Sequence, residues 1–399
     1  MKIPFSPPYI DSDVIESVLE SLNSGWITTG PKVKALEELM AEYVGTKYAL
    51  CVNSWTSGAL LACNWFDLKK DDEVIIPAYT YAATALAVLH AGAKPIMIDV
   101  GEDFMMNPDL LYSRIHAKTK IIMPVDFGGG LADYYSINKV AESTADQFVP
   151  DGERQEKLNR IMVLADAAHS IGAKQGDVYS GKLCDLSVFS YHAVKNVTTA
   201  EGGAITLNLP ASFDEAEEYK WLKLMSLNGQ TKDAFTKAQA GGWKYDIVMK
   251  GLKINMPDIA AAIGLVQLRK YESLHKERKR VFDAYIEQLN IYDWAILPEI
   301  KKDTRPSYHL FPLRIRNITE EKRDKIISIL AEKGISVNVH FNPLPNLTYF
   351  KKLGYDISDY PVAQKLYRSE ISLPIYPQLK NVEVEYLVSE LLKAYQKVI

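Results

Sequence analysis

Three short stretches carry side chains that could do chemistry together. In CVNSWTSGALLA, Cys51 to Ala62, a strand-like apolar run gives way to small and hydroxyl residues and then to a helical pattern. Backbone N–H groups at such a helix start, with the Thr56 and Ser57 hydroxyls, suit a phosphate; Ser and Thr also favour plain helix capping. In MVLADAAHS, Met162 to Ser170, Asp166 follows an apolar strand run, at the kind of strand end beyond which open parallel sheets gather ligands. A carboxylate there can pair with a cation or cap the next helix. In FSYHAVKNVTTAEGG, Phe189 to Gly203, Lys195 lies just past a third apolar run, with Ser190 before it and Thr198, Thr199 and Gly202 after it. An ordinary charged side chain is costly to desolvate at such a place. A desolvated lysine, however, loses its proton readily and becomes a nucleophile toward carbonyls, whereas one that reaches back to solvent has no such property. Cradle, carboxylate and amine together are what pyridoxal phosphate needs: a seat for its phosphate, an anion for its ring nitrogen and an amine for its aldehyde.

The surrounding pattern supplies elements to hold these groups. Helical periodicity over Pro31 to Val44 is followed by a strand at Tyr48 to Val52, a helix from Ser57, a strand at Glu73 to Ile76 and a helix at Ala82 to Ala91. Strands follow at Pro95 to Val100, Lys120 to Val125, Ile161 to Ala165, Asp185 to Phe189 and Ala204 to Leu207. Short apolar strands separated by helices predict an α/β fold with a mostly parallel sheet covered on both faces. The charged stretch Ala141 to Arg160 reads as a helix plus a surface excursion around its Pro-Asp-Gly turn. A long helical run covers Pro257 to Leu289, and beyond it helices, clearest at Glu320 to Lys333 and Val382 to Val398, alternate with short strands. The expected division is a large cofactor-binding domain over 1–250 and a smaller C-terminal α+β domain over 251–399.

Composition narrows the class. The 399 residues are 47% hydrophobic and 24% charged with a net charge of −4, and no Lys/Arg stripe stands out, so the electrostatic footprint of a nucleic-acid binder is missing. Cys51, Cys63 and Cys184 are widely spaced with no CxxC pair, which speaks against a disulfide framework or a structural zinc site and for a reducing compartment. The start, MKIPFSPPYIDSD, lacks a charged head followed by an apolar run, and the most apolar stretch, Ala78 to Ala93, is interrupted by Tyr79, Thr80, Tyr81, Thr84 and His90. A soluble cytoplasmic protein with no metal site is expected.

The chain resembles the DegT/StrS-type nucleotide-sugar aminotransferases, within the aspartate-aminotransferase-like, fold type I pyridoxal phosphate enzymes. The likeness is carried by GPKVKALEELMAEYVGTKYALCVNSWTSGALL, DEVIIPAYTYAATALAVLHAGAKPIMIDV, LADAAHSIGA, FSYHAVKNVTTAEGGAITL, MPDIAAAIGLVQL and ISLPIYPQL, six blocks in order over nearly the whole chain. The resemblance implies that Lys195 forms the Schiff base with the cofactor, that Asp166 pairs with the pyridinium nitrogen, and that Thr56, Ser57 and Ser190 hold the phosphate. It further implies that Tyr81 stacks on the ring, that His169 lies beside it, and that Asn228 reaches across a homodimer to the partner's phosphate. Lys253, Tyr308, His309 and His340 are the residues it suggests for the sugar and diphosphate. Trp55 stands where many relatives have glycine, Ala165 replaces a common acidic residue, and Ala141 to Arg160 is longer than usual.

The implied reaction is transfer of an amino group from glutamate to a 3-keto or 4-keto nucleotide-linked sugar in amino-sugar biosynthesis, with pyridoxamine phosphate as the intermediate cofactor form. VDFGGGLADY, Val125 to Tyr134, is expected to border the sugar. Three rivals share the scaffold. A related sugar dehydratase has histidine in place of the lysine, sometimes with an iron–sulfur cluster, for which three scattered cysteines are too few. A non-catalytic regulatory relative would be expected to lose Lys195 or Asp166. A lyase acting on small amino acids would retain both.

Overall fold

The structure is a computed structural model that describes residues 1–232 and 243–399. Its centre is a seven-stranded sheet made of β1 (Ala49–Val52), β2 (Glu73–Pro77), β3 (Lys94–Ile98), β4 (Thr119–Ile122), β5 (Met162–Asp166), β8 (Leu186–Ser190) and β9 (Gly203–Leu207). The order across the sheet is β1-β9-β8-β5-β4-β2-β3. Only β9 runs against its neighbours, while β8, β5, β4, β2 and β3 pair in parallel. Every residue of β1, β4, β5, β8 and β9 is buried, as a sheet covered on both faces requires. Between β5 and β8 the chain makes a small hairpin, β6 (Lys174–Gln175) and β7 (Val178–Tyr179), joined at its edge by β11 (Thr304–Arg305).

The strand ends, rather than the strands, matter for chemistry. A parallel arrangement places the C-terminal ends of β1, β2, β5 and β8 along one edge, and the helices α3 (Trp55–Trp65) and α4 (Ala82–His90) begin there with their N-termini. A helix α1 (Ser12–Asn23) that the apolar pattern did not mark starts at Asp11, whose carboxylate accepts from the Val14 N–H at 3.1 Å. With α2 (Pro31–Val44) it packs against the helix Asp258–Arg269.

The helical run expected from Pro257 to Leu289 is two helices, Asp258–Arg269 and Tyr271–Leu289, separated at Lys270, whose ammonium pairs with Asp11 and Asp13. The first contributes Ala261, Leu265 and Leu268 to the core around the large sheet. The second contributes Val281, Phe282, Tyr285 and Leu289 to a separate core around a three-stranded antiparallel sheet of β10 (Ala295–Ile296), β12 (Phe311–Ile315) and β13 (Glu370–Leu373). Ile3, from the opposite end of the chain, belongs to this second core, and Leu344, Phe350 and Leu366 to the first.

The stretch Ala141 to Arg160 is not a free surface excursion. Gln155 is fully buried and its side-chain amide donates to the Phe66 carbonyl at 2.8 Å, while Arg154 pairs with Glu218 at 2.7 Å and lies over the Trp221 ring. Polar residues placed there satisfy buried backbone and aromatic groups, which a reading of polarity as solvent exposure does not anticipate.

Candidate active site

A cavity of about 470 Å³ opens at that strand-end edge. At its β1 side, Ser54 sits in extended backbone and its hydroxyl accepts from the Ser57 N–H at 3.1 Å. This cap leaves the N–H groups of Trp55 and Thr56 in the first turn without intrahelical partners, the usual condition of a helix start, and with the helix dipole they favour an anion. Trp55 causes no distortion. Its indole turns inward, 6% exposed, and donates to the Val188 carbonyl at 2.9 Å.

The start of β9 presses against the same turn. A Cβ on Gly203 would stand 2.7 Å from the Phe189 carbonyl oxygen and 3.0 Å from the Trp55 nitrogen, so only glycine lets β9 close on the helix start. Gly203→Ala is therefore expected to displace this turn and weaken cofactor binding by about tenfold, the equivalent of ~1.4 kcal/mol, with secondary structure retained. Titration of the purified variant with pyridoxal phosphate measures it, and unchanged affinity would contradict the close-packing argument.

Asp166 ends β5 and is 5% exposed. Its carboxylate accepts from the Thr84 hydroxyl at 2.8 Å and from the Ala168 N–H at 3.2 Å, and no cation lies within ion-pair distance among the described residues. Burial pushes this carboxyl up to about 7, against the lowering effect of the Thr84 and Ala168 bonds and of Lys195. Thr84 is itself bonded to Thr80 at 2.8 Å, so the carboxylate is held from the first turn of α4.

Lys195 lies in the turn after β8, the parallel neighbour of β5. Burial pulls its amine down to about 8, and Asp166 opposes the shift. The residue as a whole is half-buried, and its amine has no hydrogen-bond or ion-pair partner among the described residues. Ser190, the last residue of β8, is buried and receives the His192 N–H at 3.3 Å. Amine, carboxylate, Ser190 and the Thr56 turn all line this one cavity.

Three further polar groups of the cavity are histidines held neutral. Burial, followed by the Lys195 charge, keeps His169 and His340 below the ordinary histidine range, His340 down to about 3; burial and neighbouring His169 do the same for His309. The His169 and His309 rings are 4.3 Å apart, and Phe341 stacks on His169 at 5.9 Å. Gly129, at φ +106, admits the segment carrying His309: a Cβ there would stand 2.8 Å from the backbone nitrogens of Tyr308 and His309.

The profile of the DegT/DnrJ/EryC1/StrS aminotransferase family matches residues 8–392. The chain belongs to this family. It is similar to SpsC, a spore coat polysaccharide biosynthesis protein of Bacillus subtilis, at 32% identity over 97% of this chain and 95% of that protein. Spr1654 of Streptococcus pneumoniae, assigned as a sugar aminotransferase, matches over the full length of both chains. Its PMP form superposes with a TM-score of 0.96 at 41% identity, and its PLP form with 0.95 at 39%. The chain is thus a pyridoxal phosphate-dependent aminotransferase of fold type I, with pyridoxamine phosphate as the alternate cofactor form.

Of the residues singled out in the sequence of this DegT/StrS-family chain, Thr56, Tyr81, Asp166, His169, Ser190, Lys195, His309 and His340 line the cavity. Tyr81 is 65% exposed at its mouth, with its ring 6.0 Å from Phe341, and so is not a core residue. Ser57 is one turn position inside, bonded to Ser54, and does not line it. Tyr308 lies elsewhere. It is buried against Phe282 and His275 on the second core and faces a separate cavity, because the chain turns at φ +52 between Ser307 and His309. Lys253 and Asn228 are both exposed on neighbouring segments outside the cavity, linked by the Asn228 N–H to the Leu252 carbonyl at 2.7 Å.

Several lining residues carried no sequence signal strong enough to select them. Phe5 and Ser6 come from the N-terminal segment, where Ser6 donates to the Val194 carbonyl at 3.1 Å. Ser54 was legible as the cap of Ser57, since a serine stands three residues before it. Asp126, Phe341 and Thr84 were not, because their placement depends on which strands are neighbours.

Proposed function

We propose that this aminotransferase moves an amino group from glutamate to a 3-keto or 4-keto nucleotide-linked sugar, in the making of an amino sugar for a surface polysaccharide or glycoconjugate. The observation that carries the reading is the placement of Lys195 and Asp166 at the ends of adjacent parallel strands, in one cavity. The donor set suits the cofactor: unspent N–H groups at Trp55 and Thr56 with Ser190 for the phosphate, Asp166 for the ring nitrogen, Tyr81 and His169 for the ring, and Lys195 for the aldehyde. When bound, pyridoxal phosphate supplies an electron sink for the carbon that loses its proton.

The chain's own groups do the rest. Lys195, with its amine pulled down to about 8, gives up its proton far more readily than an ordinary lysine and can both attack a carbonyl and carry a proton. Asp166, buried with a raised pKa, becomes a stable anion once a cation faces it, since an opposite charge reverses the cost of burial. The neutral His169, His309 and His340 and the aromatic rings of Phe5, Tyr81 and Phe341 give a stretch of wall suited to an uncharged polyhydroxyl ring.

Asn228 and Lys253 are exposed away from this chain's own cavity, which is compatible with a homodimer in which they serve the partner's site. SpsC's part in spore coat polysaccharide biosynthesis supports the glycoconjugate setting. The test is transamination by the purified protein with glutamate against a panel of 3-keto and 4-keto nucleotide sugars, with product mass and amino position read out. A new amino sugar with release of 2-oxoglutarate is expected; amination of small 2-oxo acids alone would overturn the sugar assignment.

A further inference from the structure

The cavity wall behind His340 contains a chain of hydrogen bonds that ends on a buried acid. The segment around Asn338 pairs antiparallel with β13 through Asn338 and Ser372, which puts His340 opposite Glu370. His340 Nδ1 is 2.9 Å from the Ser372 hydroxyl, and that hydroxyl donates to Glu370 Oε1. The second carboxyl oxygen, Oε2, accepts the His340 backbone N–H at 3.0 Å. Glu370 is fully buried, and no cation lies within ion-pair distance of it among the described residues.

These contacts fix the proton positions. With Glu370 ionised, the Ser372 proton points to the carboxylate, so Ser372 Oγ can only accept, and Nδ1 of His340 must carry the ring proton. The ring lines the cavity, and its Nε2, which makes no hydrogen bond among the described residues, is then a free acceptor. With Glu370 protonated the directions reverse: the carboxyl donates to Ser372, Ser372 donates to Nδ1, and Nε2 carries the proton.

We infer that Glu370, Ser372 and His340 form a proton relay that serves the substrate oxygen: Glu370 stores the proton, and His340 delivers or collects it at Nε2 without becoming a cation. The inference rests on the keto-sugar reading of the site. In amination the keto oxygen leaves as water and needs a proton. The Nε2–H bond breaks as an O–H bond forms on that oxygen; Nδ1 takes the Ser372 proton, Ser372 Oγ takes the Glu370 proton, and the carboxylate is left charged. Reversal collects one proton from the cavity by the same path. Glu370 and Ser372 are positioning residues here, acting through His340.

The environment fits this division of labour. An imidazolium at His340 is strongly disfavoured by burial and by Lys195, so a simple histidine acid would not operate, whereas the relay needs none. Burial pushes the Glu370 carboxyl up to about 8, which Ser372, the His340 N–H and Arg323 partly offset. The other charged or titratable groups facing the relay are committed. Arg323 donates to the Glu370 carbonyl at 3.0 Å and pairs with Asp324 at 2.6 Å, Arg314 on β12 pairs with Glu102 at 2.7 Å, and the Tyr79 hydroxyl donates to the His340 carbonyl at 2.6 Å.

The direct test is ¹⁵N NMR of histidine-labelled, cofactor-loaded full-length protein, with the His340 signals assigned by their loss in His340→Asn. More than a unit above the Glu370 midpoint, Nδ1 should be protonated and Nε2 bare. Below it the two should exchange roles with no imidazolium between them. Glu370→Gln should lock the Nε2–H form at every pH, because its amide oxygen must face the His340 N–H and its NH₂ must then donate to Ser372. Ser372→Ala should lower kcat of sugar amination by about 10²-fold, the scale of a positioned proton carrier, with little change in KM, and Ser372→Thr should restore it. A pH-invariant His340 tautomer in the parent protein, or passage through an imidazolium, would overturn the relay. So would a Ser372→Ala effect confined to KM. The expected tautomer exchange in a protein that aminates no keto sugar would leave the relay standing and remove the substrate reading instead.

Discussion

Lys195→Ala is expected to abolish transamination, with a fall of more than about 10³-fold, since the proposed mechanism makes this residue both the attacking amine and the proton carrier and the latter role alone is worth 10²–10⁴-fold. The structure gives the reason in two parts. The lysine's position after β8 puts its amine in the same cavity as Asp166, and its surroundings leave it unpaired and pulled down to about 8. Alanine removes a primary amine that no other side chain in the cavity replaces, because no second lysine lines it among the described residues. Borohydride reduction of the cofactor-loaded protein, followed by peptide mass analysis, should place the pyridoxyl group on Lys195 in the parent and nowhere in the variant. Circular dichroism should be unchanged. Activity within tenfold of the parent would remove Lys195 from the mechanism. The substitution also deletes a cation that lowers Asp166, so that carboxyl should rise further.

Asp166→Asn is expected to cost about 10²–10³-fold in turnover, the range measured when one preorganised electrostatic group is lost from a reacting centre, and to weaken cofactor binding as well. The substitution is nearly isosteric. The asparagine oxygen can still accept from the Ala168 N–H, and Thr84 can accept from the new NH₂ while donating to Thr80, whose bond to Thr84 at 2.8 Å works in either direction. Folding should therefore survive, and stability should rise slightly, because a buried carboxylate with a raised pKa destabilises the folded state once the pH exceeds its unfolded value. What is lost is the negative charge that the proposed site sets against the ring nitrogen. Single-turnover rates with glutamate separate this loss from weaker binding, and a variant whose rate at saturating cofactor stays within threefold of the parent would refute the role.

Much of this site could be read in the chain before any fold was known. Asp166 and Lys195 each follow a run of consecutive apolar residues, and such a run means a strand buried on both faces, whose end is the first place a charged side chain can reach a cleft. The helix start was legible in part: Thr56 and Ser57 marked it, since Ser and Thr favour such ends, but the cap is Ser54 and Ser57 stands off the cavity. The positions read less well depend on partners far away in sequence. Tyr308 and His309 are adjacent, yet one turns to the second core and the other to the cavity, a choice made by the left-handed backbone at Tyr308 and the glycine at position 129 it packs against. Asn228 and Lys253 came from the resemblance alone, and their distance from this chain's own cavity is a fact of the tertiary structure.

The sequence by itself determined most elements of the central sheet, the amine, the carboxylate and the phosphate-suited turn, because those rest on local periodicity, capping and the cost of placing charge beside apolar strands. Only the tertiary structure decided that β8 lies next to β5, that three histidines from separate segments meet around Lys195, and that Glu370 stands behind one of them. Those juxtapositions come from sheet order and from packing between two cores. Both are properties of contacts between residues far apart in the chain, which no local pattern encodes.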